Sequence, residues 1–570
     1  MSRDHKRAPT STPVRPVPPW RSLLLWLLLA LAFCSLIGRA LYLQWRQQPF
    51  LQQQGEARYR RTLQLPAHRG IITDRRGEPL AISTPVQTIW ASPSDMAPVE
   101  PEKLRTLARL LNLPLQDLSA RLSDRQRDFV YLRRQIDPEL AERIMALHIP
   151  GIAAQREFKR YYPTGEVAAQ LIGFTGIDGQ GQEGIELAMN DKLAGAAGQQ
   201  VVLKDRRGSI IASLGRPQPA RDGQKIELAI DNRIQYLAFR AIRQAVTQHK
   251  ARSGSVLVLD ARSGELLAAA GYPSFNPNNH AGVPPEPRRL RGVVDQFESG
   301  SVMKPFAIAL ALEDRIATLS TVLDTHPYYI GASQVRDVSP QPRLDIAGIM
   351  HRSSNVGTSK LALQISPQRF WRFYRSLGFG QPAGSGFPGE TSGKLRPWER
   401  WHPIDQATMS FGYGVSVNLL QLARAYTALT SDGVLLPVSL YKLSTPLPGR
   451  QVLSSGSAQA VHKLLQSNAR EHPAGRVPGY SSGFKSGTAR KLENGRYVAN
   501  RHRAMFVGFA PGPAPHIIIA VTLDEPGAGR YYGGEVAAPV FADVARGALH
   551  ILGIAPDQPD DATPQEHLTP

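Results

Sequence analysis

Cysteine is all but missing from this 570-residue chain: Cys34 stands alone, so an intrachain disulfide and a thiolate-rich metal site are both excluded. Acids are scarce beside bases, 47 Asp and Glu against 67 Lys and Arg, which leaves a formal charge of +20. That excess favours an anionic partner. The basic residues are spread along the chain, however, and clusters such as Arg133, Arg134 and Arg288, Arg289, Arg291 come with neither a nucleic-acid fold signature nor interleaved aromatics. Nucleic acid is therefore not an expected partner, and a solvated surface or one facing an anionic wall polymer fits better. Long apolar runs are also lacking, with one exception, so a multi-span membrane protein is excluded. At 42% hydrophobic and 20% charged residues the composition is globular, and the length allows two or three domains.

The exception is Ser22 to Gly38 (SLLLWLLLALAFCSLIG), which carries no charge and continues past Arg39 to Leu43, about the length that crosses a bilayer. Arg3, Lys6, Arg7, Arg15 and Arg21 precede it, which by the positive-inside bias keeps the N-terminus in the cytoplasm and exports the chain beyond Trp45. No small-x-small cleavage site comes after the run, and bulky Phe33 before Cys34 argues against a lipoprotein, so an uncleaved anchor is expected. The expected organisation is a cytoplasmic tail (1–21), a transmembrane helix (22–43), a pedestal domain (44–222), a second domain (223–556) and a polar tail (557–570).

Polar residues from Gln44 to Arg61 suggest a short helical exit from the span. His68 to Ser83 (HRGIITDRRGEPLAIS) predicts strand, turn and strand centred on Arg76-Gly77, and helices are predicted over Glu102 to Leu111 and Pro138 to Leu147. Gly179-x-Gly181-x-x-Gly184, with Asp205 downstream, formally matches a dinucleotide fingerprint. Asp178 and Glu183 would set carboxylates against a pyrophosphate, so a structural glycine loop is the expectation. After Gly223 come a strand and an amphipathic helix, then a hairpin turning at Ser263-Gly264. Helices extend from about Ser301 to Leu429, and strands return in KLSTP, GFKSGTAR, AMFVGFAP and HIIIAVTLDEP. Strands at both ends of a helical middle predict an α/β/α sandwich with one antiparallel sheet.

Ser-x-x-Lys occurs three times, at Ser301/Lys304, Ser439/Lys442 and Ser482/Lys485. The last two pairs fall in extended segments, where this spacing sends the side chains to opposite faces. Ser301 opens GSVMKPFAIALALEDRI, which reads as a helix start, and on a helix positions i and i+3 share a face. Only this pair can set an amine beside a hydroxyl by local geometry, as a lysine base of lowered pKa beside a nucleophilic serine requires. Ser353-Ser354-Asn355 and Lys485-Ser486-Gly487-Thr488 come next in order, completing a Ser-x-x-Lys, Ser-x-Asn, Lys-Ser-Gly trio known from penicillin-interacting enzymes. Ser353 and Asn355, two apart in a loop, could project into one cleft, with a hydroxyl to relay a proton and an amide to hold Lys304 or a substrate amide. Lys485 would supply a second cation. Gly487 would let a substrate lie close to the strand, and Ser486 and Thr488 would donate to a carboxylate.

The chain resembles class B penicillin-binding proteins through nearly the whole exported region. The likeness lies in RGIITDRRGEPLA, RYYPTGEVAAQLIGFTGIDGQGQEGIE, SFNPN, FESGSVMKPF, FPGETSG, SFGYG, KSGTARK and YYGGEVAAPVF. Lys485 to Lys491 and the Tyr-Tyr-Gly-Gly run favour the septal D,D-transpeptidase branch of Gram-negative bacteria over the elongation branch. The resemblance implies a penicillin-binding serine transpeptidase fold preceded by an extended α+β pedestal of the dimerisation type. It implies Ser301 as acylated nucleophile, Lys304 as its base, Ser353, Asn355 and Lys485 as catalytic partners, and Ser486, Gly487, Thr488 and Tyr532 as substrate-binding. The backbone N–H groups of Ser301 and Thr488 would form the oxyanion hole. No cofactor or metal is implied. The implied substrates are peptidoglycan stem peptides and nascent glycan strands, with β-lactam antibiotics as covalent inhibitors. The implied companions are a membrane glycan polymerase and other division proteins, with the protein in the inner membrane and its catalytic domain in the periplasm. Two departures from the family pattern are Ser299, where proline is common, and Asn418, where threonine is usual; they leave room for a specialised paralogue of the septal enzyme with altered substrate or antibiotic affinity. A β-lactam sensor or other non-catalytic interaction protein and a serine β-lactamase are the alternatives.

Overall fold

The computed structural model describes residues 19–45, 60–204, 210–493 and 495–559. Most of the expected tails, most of the helical exit after the span, and Asp205 lie outside them. The apolar run forms one helix, α1 (Pro19–Trp45), with no buried residue and a mean hydropathy of 2.2 over its most apolar window. It can span a bilayer once.

The pedestal begins with β1 (Arg60–Leu65), which pairs with β6 (Gly198–Lys204), itself paired with β7 (Ile210–Gln218). Within it, β2 (Ile72–Thr73) turns at Asp74–Gly77 into the long β3 (Pro79–Ala91), as expected, and β3 pairs with β4 (Val130–Ile136) and β5 (Ile152–Tyr161). Asp74 holds that turn by accepting from the Arg76 and Glu78 N–H groups, both at 2.8 Å. The two expected helices are present as α2 (Pro101–Leu111) and α3 (Pro138–Met145). Their apolar faces pack on β3 around Ile89, Leu107, Leu111 and Ile144.

The glycine-rich segment serves backbone packing. A Cβ on Gly181 would stand 1.9 Å from the Glu186 carbonyl oxygen, and Gly184 (φ +61°) presses on Gly173 and Leu171. Glu186, fully buried, is gripped by Arg69 Nε and Arg160 Nε, both at 2.6 Å, while Arg69 also donates to the Gly179 carbonyl and to Asn190. Two guanidiniums thus share one carboxylate out of water, a grouping that is stable only when complete. Glu186→Ala should therefore lower pedestal stability by about 3–5 kcal/mol, read as a fall in the denaturant midpoint.

β8 (Ile226–Glu227) pairs parallel with β2 and so ends the pedestal sheet; after it, in the second domain, come α4 (Asn232–Gln248), then β9 (Ser253–Asp260) and β10 (Leu266–Tyr272) as the expected hairpin. The helical middle includes α5 (Lys304–Glu313), α6 (Ile346–His351), α7 (Asn355–Ala362), α8 (Leu419–Thr430) and α9 (Ser455–Glu471). The chain returns through β11 (Gly483–Glu493), β12 (Arg496–Ala510) and β13 (Ile517–Asp524) to α10 (Ala538–Ile551). The sheet order is β10-β9-β13-β12-β11, all antiparallel, so both ends of the domain build one sheet.

Alternate residues of each central strand enter two different cores. Leu257, Val507 and Ile518 face the helical middle, whereas Val256, Phe506 and Ile519 face α4 and α10. Because both faces are covered, IIIAVTLD reads as an unbroken apolar run. KLSTP is a correction: Lys442 to Pro446 form no strand, and only the Lys442 N–H reaches the Glu227 carbonyl, at 3.1 Å. Pro446 and Pro448 bring no N–H to continue a ladder.

Candidate active site

α5 is buried on every side over its first eight residues, so it runs through the middle of the helical core and delivers its first turn to the sheet edge. Ahead of it, Gly300–Met303 forms a single 3-10 turn, and Lys304 is the first residue of the α-helix proper. The expected geometry becomes sharper, since in a 3-10 turn residues i and i+3 eclipse one another. Ser301 is half-buried above a completely buried Lys304.

Three contacts fix the turn. Gly300 (φ +56°) donates its N–H to the Gly412 carbonyl at 3.1 Å, and a Cβ on Gly412 would lie 2.1 Å from the Gly300 carbonyl oxygen. Tyr426 of α8 donates from its buried hydroxyl to the Val302 carbonyl at 3.0 Å. Ser299, just before the turn, is fully buried, and its hydroxyl has no partner among the described residues. Ser299→Ala should therefore leave the protein as stable or up to about 1 kcal/mol more stable, measured as the midpoint of urea unfolding.

Lys304 Nζ is held by Ser353, donating to its carbonyl oxygen and, at 3.0 Å, to its hydroxyl. Burial pushes the Lys304 amine well below the usual lysine range, the Lys485 cation pushes it further, and Asp337 partly opposes both. Ser353 itself adopts φ +55°, a left-handed conformation that a serine keeps only when its surroundings impose it. The expected loop ends there. Ser354 caps α7, donating to Asp337 at 2.5 Å, and Asn355 is the first helical residue. Its amide donates to the Arg336 carbonyl at 3.1 Å, so Lys304 is held by Ser353 and not by Asn355.

β11 is the edge strand next to the Gly300 turn, with alternate backbone groups free of ladder bonds. A Cβ on Gly487 would lie 3.0 Å from the Ser299 carbonyl oxygen and 3.1 Å from the Val302 nitrogen, and one on Gly300 would lie 3.1 Å from the Thr488 carbonyl oxygen. The strand and the nucleophile turn therefore run in backbone contact. Lys485 is 2% exposed, donates to the Ser486 carbonyl at 3.0 Å, and is lowered to about 8 by burial. Ser486 and Thr488 share the opposite face of the strand by its period of two. The Thr488 hydroxyl accepts from the Gly533 N–H at 3.0 Å, which leaves its proton free to donate. Tyr532 precedes that glycine, 44% exposed, its ring 4.5 Å from Tyr531, which stacks on His502.

The other two Ser-x-x-Lys pairs do not form such a site. Ser439 donates to the Tyr441 carbonyl while Lys442 pairs with Glu227, and Ser482 reaches the Gly475 carbonyl on the far side from Lys485. Among the described residues no group of three His, Cys, Asp or Glu side chains is placed to hold a metal ion.

A serine above a wholly buried lysine, with a second buried lysine on an edge strand, lies within a stretch of sequence shared with known proteins. The family described as penicillin binding protein transpeptidase domain matches residues 254–546, and the penicillin-binding protein dimerisation domain matches residues 64–228. The chain belongs to the penicillin-binding protein transpeptidase family. It is 47% identical over 537 residues to a Neisseria meningitidis serogroup B protein named "Probable peptidoglycan D,D-transpeptidase PenA", covering 93% of this chain and 92% of that one. It is 40% identical over 547 residues to "Peptidoglycan D,D-transpeptidase FtsI" of Escherichia coli K12, covering 94% and 93%. A Pseudomonas aeruginosa relative, "Probable peptidoglycan D,D-transpeptidase PbpC", is 40% identical over 550 residues, covering 95% and 97%.

Within this penicillin-binding protein fold, Asn418 has a structural explanation. It caps α8 in a capping box, accepting from the Gln421 N–H at 2.7 Å while Gln421 accepts from its own N–H at 2.8 Å. Threonine can also cap a helix, but the Asn418 amide additionally donates to the Thr391 carbonyl at 2.8 Å. Asp337 and Tyr426 are the site residues that the motifs do not point to. Asp337 lies 16 residues before Ser353 and outside any motif, and Tyr426 sits in an ordinary apolar helix. The SFGYG run did carry a signal, since Gly412 supplies the close approach beneath Gly300.

Proposed function

We propose that this protein is a peptidoglycan D,D-transpeptidase in which Ser301 is acylated by the stem peptide and Lys304 is its base. The observation that carries the reading is the wholly buried Lys304 amine, held by Ser353 at the foot of the Ser301 turn, where burial and the Lys485 cation both lower its proton affinity. An amine so placed can accept the Ser301 proton as Oγ attacks the carbonyl of the D-Ala-D-Ala bond. The oxyanion then sits between the N–H groups of Ser301 and Thr488. Collapse breaks the C–N bond, and the proton passes from Lys304 through the Ser353 hydroxyl to the departing D-Ala amine. An amine from a neighbouring strand attacks the ester, surrenders its proton by the same route, and frees Ser301. The Ser486 and Thr488 hydroxyls bind the terminal carboxylate, the Lys485 cation attracts it from across the strand edge, Asn355 faces the substrate amide, Gly487 keeps the strand edge open, and Tyr532 borders the cleft. A β-lactam enters as a mimic of the same peptide and stops at the acyl-enzyme.

In this reading α1 anchors the chain in the inner membrane with its N-terminus in the cytoplasm, residues 44–222 form the pedestal and residues 223–556 the transpeptidase domain, both periplasmic. Its companions are a membrane glycan polymerase and other division proteins acting on septal wall, a role supported by the likeness to FtsI and PenA. The purified protein, given a D-Ala-D-Ala peptide and an acceptor amine, should release D-Ala and form the amide-linked product. Persistent acylation without any D-Ala release would favour a β-lactam sensor instead.

A further inference from the structure

The last turn of α9 contacts the residues just ahead of the second and third motifs, His351 and Phe484. Asn468 and Glu471 lie three residues apart, on one face of the helix. The Asn468 amide donates to the Phe484 carbonyl at 2.9 Å, one residue before Lys485. Glu471 lies 3.0 Å from His351 Nδ1, and the His472 ring meets the His351 carbonyl oxygen at 3.1 Å. His351 ends α6, two residues before Ser353, whose carbonyl and hydroxyl hold Lys304. A continuous path therefore runs from the strand of Lys485, through one helical turn, to the two oxygens that aim Lys304.

The brace is built from side chains that stability alone does not explain. Asn468 is 3% exposed, and among the described residues neither its Oδ1 nor the buried Nε2 of His351 has a partner. A buried polar atom left unpaired is less favourable than an apolar group in its place. Both residues nonetheless use their remaining polar atom on a segment that leads directly into a motif.

We propose that Asn468, Glu471 and His351 are positioning residues that set the spacing between the Ser353 loop and the Lys485 strand. The proposal rests on the acyl-transfer reading above. By holding Phe484 and His351 from one helical turn, α9 sets the separation between Lys485 and the Ser353 oxygens that hold Lys304.

The test uses the full chain in detergent, with acylation by labelled penicillin resolved into a binding constant and an acylation rate constant, alongside Tm. Asn468→Leu and His351→Leu should each lower the acylation rate constant about tenfold, leave binding within about twofold, and leave Tm unchanged or raised. His351→Gln, whose amide can still donate to Glu471, should recover most of the rate. The double variant should lose little more than either single one, because the brace acts as a unit. Acylation at the wild-type rate in both leucine variants would overturn the proposal, and so would a loss that tracks a fall in Tm or is not rescued in His351→Gln. A wild-type protein that is not acylated at Ser301 would instead refute the acyl-transfer reading itself.

Discussion

Replacing Lys304 by methionine should lower penicillin acylation by roughly a hundred- to ten-thousand-fold, the range a positioned base contributes, while leaving the protein as stable as before or more so. The two halves of this expectation have one cause. Lys304 is wholly buried, and the acid that acts on it, Asp337, is already engaged by Ser354 and the Val356 N–H. An amine in that setting is a burden on folding, whether it stays charged or gives up its proton. A methionine of similar length fills the space without that burden, although the Ser353 hydroxyl loses a partner. A surface lysine or a structural cap would behave otherwise, since its removal would change neither acylation nor stability much. The pair of measurements is acylation under pseudo-first-order conditions and Tm by calorimetry.

The second large effect concerns Lys485 and pH. Its amine is lowered to about 8 by burial, so it is charged below that pH and neutral above it. Binding of a substrate carboxylate should weaken as pH rises through about 8, giving kcat/KM an alkaline limb there. The acid limb belongs to Lys304, which must be neutral to act. Because the Lys485 cation is one cause of the lowered Lys304 value, Lys485→Ala should do three things. It should lower kcat/KM by roughly a hundredfold or more, as loss of a charge-assisted carboxylate contact and of correct orientation would. It should remove the alkaline limb, and it should move the acid limb to higher pH. Lys485→Arg keeps a charge that does not titrate in this range, so its profile should lack the alkaline limb while retaining more activity than Lys485→Ala. A profile whose limbs are the same in all three proteins would show that Lys485 does not act through its charge.

Much of this site was legible in the residues because its geometry is local. The Ser301 to Lys304 spacing needs only a helix start, and the apolar strands that build the sheet announce themselves by having two buried faces. The parts that were not legible depend on distant chain segments. Asp337 reaches the Lys304 site because it follows a short hairpin, Tyr328–Ile330 paired with Ser333–Val335, and bonds to Ser354 and Val356 at the start of α7, and no periodicity marks it. Ser353 and Asn355 were expected to act as equals in a loop, yet one holds the base from a left-handed turn and the other starts a helix, a difference set by the Ser354 cap. The KLSTP segment has the composition of a strand end, but Pro446 and Pro448 bring no N–H to continue a ladder. Asn468 and His351 look like ordinary helix residues until α9 is seen between the motifs.

The most direct test of the account is the mass of the intact protein after exposure to benzylpenicillin, together with peptide mapping of the adduct. A single covalent addition per chain at Ser301, absent from Ser301→Ala, is the predicted result. An adduct on another residue, or equal labelling of the Ser301→Ala protein, would contradict it.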